Sequence, residues 1–152
     1  MINIYVSLRQ IMYSKGAKAI DMTCNPQLKE KENDIVVGKH VYGNLYNINR
    51  EKAYNEELLK NAVIEAAKLA NMQLVEVKSW SFGGRKGGVS VIALVVESNV
   101  AVHTWPLYGY VAVDVYTCGE KSDPWKAFRH ILKILEPQNY EAHYADRRMV
   151  IK

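Results

Sequence analysis

Two cysteines, Cys24 and Cys118, are all that the 152 residues contain, too few for the disulfide framework of a small secreted fold. No apolar run approaches the roughly 20 residues that a membrane-spanning helix requires. The opening stretch MINIYVSLRQIMYSKGAKAI threads polar residues through its apolar ones and lacks the uninterrupted core of a signal peptide. The expected compartment is the cytoplasm, with no membrane partner. The glycine-rich FGGRKGG is not followed by the Gly-Lys-Ser/Thr that opens the helix of a phosphate loop. No histidine–carboxylate cluster with metal-ligand spacing is present, so no metal is expected. What remains is an ordinary globular balance, 49% hydrophobic and 24% charged, enough for one domain with a real core. A net charge of +4 permits attraction to anionic partners without requiring it.

Residues 1–33 read as an N-terminal extension, charged and turn-rich after Lys15 and ending in QLKEKEND, with no sustained period. A mobile tail fits this composition, as does a start at Met12 or Met22. The compact domain is expected over 34–152. IVVGKHVYGNLYNI (35–48) reads as a strand with a Gly-Asn break. In 56–72, Leu59, Ala62, Val63, Ala66, Leu69 and Ala70 recur at helical spacing. QLVEVKSW alternates as a strand, and FGGRKGG makes a flexible loop. VSVIALVVE (89–97) is apolar almost throughout, the pattern of a strand covered on both faces. VAVHTW and VAVDVYTC follow as further strands. Asp123 and Pro124 start a second helix whose buried stripe is Trp125, Phe128, Ile131, Leu132 and Leu135. YEAHYA (140–145) closes the sheet. The order predicts an α+β fold, a largely antiparallel sheet with two helices on one face. The other face would then take a partner sheet.

VVESNVAVHTW (95–105) raises the chemical question. Glu97, Ser98 and His103 interrupt what otherwise reads as core strand, and polar groups there must be satisfied or reactive. Taken singly, Ser98 is an ordinary turn residue, His103 an ordinary strand histidine and Cys118 a small hydrophobe. Together at neighbouring strand ends they form a candidate constellation for nucleophilic chemistry, with His103 close enough to fold back over the corner of Ser98.

The order of these residues carries a resemblance. ESNVAVHTWPLYGYVAVDVYTCGEKSDPWKAF (97–128) is similar to the core signature of the S-adenosylmethionine decarboxylases, small self-processing pyruvoyl enzymes of polyamine synthesis. The likeness runs over roughly 35–146 and includes GVSVIAL and GKHVYGNLY. It implies that family's α/β sandwich. It also implies that Ser98 attacks its own preceding carbonyl, converting the Glu97–Ser98 peptide into an ester. Elimination would release Glu97 as a new C-terminus, giving a β chain 1–97 and an α chain 98–152, and residue 98 would become a pyruvoyl group. His103 matches the histidine that assists processing by proton transfer, and Ser90 a second processing serine. The pyruvoyl carbonyl would form a Schiff base with an amino-acid substrate and act as electron sink. Cys118 matches the proton donor that completes decarboxylation; a thiol is mostly protonated near neutrality and need not be loaded first. The resemblance further implies a homodimer of cleaved protomers, or a higher oligomer.

Three departures bear on the substrate. Leu107 stands where the family's glutamate holds ribose hydroxyls, and leaving such a polar group unpaired costs roughly 1–3 kcal/mol. The FGGRKGG loop is longer than its bacterial counterpart, and Ser98-Asn99 replaces Ser-His. A crenarchaeal branch of arginine decarboxylases resembles this chain in KGGVSVIAL and the YADR ending. Leu107 directs the expectation to L-arginine, giving agmatine and carbon dioxide, with S-adenosylmethionine as the alternative. A basic RNA-binding module without catalysis is the distant competitor, with no nucleic acid expected in the main reading.

Overall fold

The computed structural model describes residues 36–149. The expected extension over 1–33, and Cys24 within it, lie outside them. Asn55 starts the long helix α2 (Glu56–Leu69), its side chain accepting the Leu58 N–H at 3.0 Å. Asp123 starts α3 (Pro124–Leu135), accepting the Trp125 N–H at 2.9 Å, with Pro124 in the first turn. A short helix α1 (Arg50–Tyr54), capped by Asn49, was not expected; five residues are too few for a periodic stripe. The described residues therefore hold three α-helices where two were predicted.

The strands are β1 (Lys39–Tyr46), β2 (Leu74–Ser81), β3 (Val89–Val95), β4 (Ser98–Trp105), β5 (Tyr110–Thr117) and β6 (Asn139–Asp146). They form one antiparallel sheet in the order β2-β3-β4-β5-β1-β6. β1 runs straight through Gly43-Asn44, where a break was expected. Glycine is needed there for packing: a Cβ on Gly43 would stand 2.2 Å from the Glu141 carbonyl oxygen and 2.8 Å from the Phe128 ring.

One face of the sheet carries the core. Val41, Leu45, Val91, Val100, Val102, Val113 and Val115 meet Leu59, Val63 and Ala66 of α2 and Phe128, Ile131 and Leu135 of α3. Leu69 is exposed, contrary to expectation, because it lies on the rim of the α2 stripe; Ala67 is buried instead. The other face has no helix against it among the described residues. β3 was expected to be covered on both sides, yet within one chain Ile92 is 39% and Leu94 51% exposed, and Trp80 and Tyr42 on other strands are exposed as well.

Antiparallel register orders this open face into rows across the sheet. One row runs Leu94, Asn99, Tyr116, His40. The next runs Ile92, Ala101, Asp114, Tyr42, and the third Ser90, His103, Ala112, Asn44. Every candidate residue of the sequence therefore sits on this face or at its ends.

Candidate active site

A two-residue turn, Val96 and Glu97, joins β3 to β4, with Val95 paired to Ser98. Three hydrogen bonds fix the turn. The Val96 N–H donates to the Gln73 carbonyl at 2.9 Å, and the Gln73 N–H donates to Glu97 Oε2 at 2.9 Å. On the other side the Cys118 N–H donates to the Glu97 carbonyl oxygen at 2.8 Å. Ser98 has φ of 148°, a conformation L residues adopt at a cost of order 1–3 kcal/mol and keep only where surroundings over-determine it.

Cys118 arrives at this corner because β5 ends at Thr117, which pairs with Ser98. Its thiol is free and exposed. Gly119 lets the loop lie against the turn, since a Cβ there would stand 2.8 Å from Glu97 Cγ. The loop is held from below, where buried Ser122 donates to the Gly119 carbonyl at 2.7 Å. An amide N–H aimed at a carbonyl oxygen holds the negative charge that develops there when a nucleophile adds to the carbon. The corner can therefore support acyl transfer at Glu97.

The second cluster lies elsewhere. Ser90 Oγ and His103 Nδ1 are 2.8 Å apart on neighbouring strands. His103 was expected to fold back over Ser98, but β4 is continuous from Ser98 to Trp105. Five residues at about 3.3 Å each separate the two by about 16 Å. Leu107, 45% exposed, lies beyond that end in the turn Pro106–Tyr108. The same turn supplies Tyr108 to a cavity of about 450 Å³ that Lys86, Trp105 and Tyr110 also line. His103 shares a smaller cavity, about 200 Å³, with Tyr42, Asn44 and Asp114. One chain thus brings together Glu97, Ser98 and Cys118, and separately Ser90 and His103, but not the two groups.

Sequence reasoning passed over a bridge from β1 to β4 through Asp114. Asp114 Oδ2 meets His40 Nε2 at 2.6 Å, and its Oδ1 accepts from Asn99 Nδ2 at 3.0 Å. The signal was present: Asp114 interrupts a row of small and apolar residues on the open face. Gln73 was also missed, because it acts through its backbone. No group of three metal-ligating side chains occurs among the described residues. No helix among them is long and apolar enough to cross a membrane.

The sequence profile of the S-adenosylmethionine decarboxylase family matches residues 39–148, spanning both clusters and the turn between them. The chain belongs to that family. Two arginine decarboxylase proenzymes are similar to it at 60% identity. That of Hyperthermus butylicus aligns over 122 residues, 80% of this chain and 86% of the relative. That of Ignicoccus hospitalis aligns over 119 residues, 78% and 83%. The arginine decarboxylase proenzyme of Aeropyrum pernix is 54% identical over 118 residues, 78% and 89%. Among solved structures, the adenosylmethionine decarboxylase of Aquifex aeolicus superposes with a TM-score of 0.69 at 28% identity, covering 77% of this chain and 95% of the other. The expected sandwich of sheet and helices is the family's fold, and this family member is a decarboxylase, a carboxy-lyase.

Proposed function

We propose that this decarboxylase cuts its own backbone between Glu97 and Ser98 and acts on L-arginine, releasing agmatine and carbon dioxide. The observation that carries the reading is the Cys118 N–H set 2.8 Å from the Glu97 carbonyl oxygen, beside a Ser98 held at φ 148°. Attack of Ser98 Oγ on that carbonyl carbon forms an ester and frees the Ser98 nitrogen as an amine. The Cys118 amide holds the oxyanion during the addition. Loss of the Ser98 α-hydrogen then expels the Glu97 carboxylate across Cα–Cβ. Water replaces the nitrogen of the resulting dehydroalanine, ammonia leaves, and residue 98 becomes a pyruvoyl group.

The corner suits such a group, because a backbone N–H, a free thiol and a glycine-lined wall converge on it. Its ketone supplies an electron sink for the carbon–carbon bond that breaks at the substrate α-carbon. The Cys118 thiol, at the same corner, returns a proton to that carbon.

Ser90 and His103 reach the cut only from a second copy, so the working unit is a homodimer of cut chains. A twofold axis parallel to the sheet plane, between two facing sheets and perpendicular to the strands, reverses strand direction. It sets the Ser98 corner of one protomer over the Ser90–His103 pair of its partner. Exposed Trp80, Ile92, Leu94 and Tyr42 on the open face supply apolar surface for that contact.

Arginine is favoured over S-adenosylmethionine by two observations. The similar proteins at 54–60% identity are named for arginine, and Leu107 offers no acceptor for ribose hydroxyls. The test is mass spectrometry of the purified protein, followed by carbon dioxide release from both substrates. A blocked N-terminus at residue 98 and release from arginine are expected. An intact chain would overturn the cut, and release from S-adenosylmethionine alone would overturn the substrate.

A further inference from the structure

We propose that Asp114 and His40 are positioning residues for the backbone cut, acting through Asn99 on the peptide that Ser98 must attack. The inference rests on the self-processing proposed above and assigns a part of its machinery.

Asn99 directly follows Ser98, and its side-chain N–H donates to Asp114 Oδ1 at 3.0 Å. The other carboxylate oxygen is occupied by His40 Nε2 at 2.6 Å. Both anchors belong to interior strands: Asp114 sits in β5 and His40 in β1, each hydrogen-bonded on both sides. The His40 ring is braced by Tyr42, with centroids 5.0 Å apart, and edge-on by Tyr116 at 5.8 Å. The clamp is therefore built on the rigid middle of the sheet, while the turn it serves lies at the sheet's end.

The cut needs such a clamp for a geometric reason. Rotation about the Ser98 N–Cα bond carries Oγ towards or away from the Glu97 carbonyl carbon. Cys118 and Gln73 already fix Glu97, through contacts of 2.8 and 2.9 Å. On the other flank the backbone of residue 99 is paired with Leu94 and Tyr116, and Asp114 adds the one side-chain tie. With Asn99 tied to Asp114, both flanks of the peptide are anchored, and the left-handed φ of Ser98 cannot relax into an ordinary strand. A histidine–aspartate pair serving only sheet stability would have no need of Asn99. That difference makes the proposal testable.

The experiment follows chain cutting after cell-free translation, by denaturing gel and intact mass, for wild type, Asn99→Leu, Asn99→His and Asp114→Ala. Asn99→Leu keeps the side-chain size and leaves the Asp114–His40 pair in place. Expected is cutting slowed by about tenfold or more in Asn99→Leu and Asp114→Ala, with the thermal midpoint of Asn99→Leu near that of wild type. Asn99→His retains an N–H donor and should stay within about threefold of wild type. Hydroxylamine, which cleaves esters, supplies a second readout. It should not speed cutting of Asn99→Leu, whose block precedes the ester, but should cut His103→Ala, whose block follows it. A folded Asn99→Leu that cuts at the wild-type rate, or that accumulates a hydroxylamine-labile ester, overturns the assignment. A wild-type chain that stays whole removes the self-processing reading itself, and this inference with it.

Discussion

The Cys118 amide and the Glu97 carbonyl are joined at 2.8 Å, while the Cys118 thiol stands free at the surface. In the proposed reaction, backbone and side chain of this one residue serve two different steps. Cys118→Ser keeps the N–H and should be cut normally, yet turn over about a hundredfold more slowly for want of its proton donor. Gel analysis beside carbon dioxide release separates the two effects. A serine variant with full turnover would leave the thiol without a role.

Ser98→Ala removes the hydroxyl proposed to attack the Glu97 carbonyl. The chain should remain whole and release no carbon dioxide above background. Residual turnover in an uncut protein would mean that the ketone is not the source of catalysis.

Because Ser98 and His103 mark opposite ends of β4, the two should complement each other between copies. Neither Ser98→Ala nor His103→Ala is expected to be cut when produced alone. Co-produced, they form mixed dimers in which an intact Ser98 faces the partner's intact His103. With random pairing about half of the His103→Ala chains should then be cut. Tagged chains on a denaturing gel read this directly, and no cutting in the mixture would place His103 outside the site.

Leu107→Glu restores a hydroxyl acceptor beyond the His103 end. The ratio of carbon dioxide release from S-adenosylmethionine to that from arginine should rise by about tenfold. An unchanged ratio would remove Leu107 from substrate choice.

Gly43→Ala tests the fold. Its Cβ would meet the Glu141 carbonyl at 2.2 Å and Phe128 at 2.8 Å, and backbone cannot yield as a side chain does. A loss of about 1–3 kcal/mol in denaturant unfolding is expected. A variant as stable as wild type would show that α3 sits less tightly on β1 than described.

Local signals carried far in the sequence. Asp123 and Pro124 marked the start of α3, and the alternation of Val111, Val113 and Val115 marked the buried face of β5. The run from Glu97 to Phe128 placed the reactive residues in order. What stayed hidden depends on long-range pairing. Whether β4 bends or runs straight is decided by β3 and β5 on either side, so the separation of Ser98 from His103 could not be read from a spacing of five. The Asp114 bridge joins His40 to Asn99 across two strand pairs, and no local pattern links positions 40, 99 and 114. Gln73 contributes only main-chain atoms, for which residue identity carries no signature.

The strand order has an outcome of its own. Residues 1–97 supply β1, β2 and β3, and residues 98–152 supply β4, β5 and β6, yet β1 lies between β5 and β6. The two pieces left by a cut are thus laced through each other like fingers of clasped hands. Nothing can drift apart without stripping three ladders of main-chain hydrogen bonds, β3 with β4 and β1 with both β5 and β6. For the proposed cut, shape must accordingly be complete before scission, and afterwards each fragment is the other's permanent template.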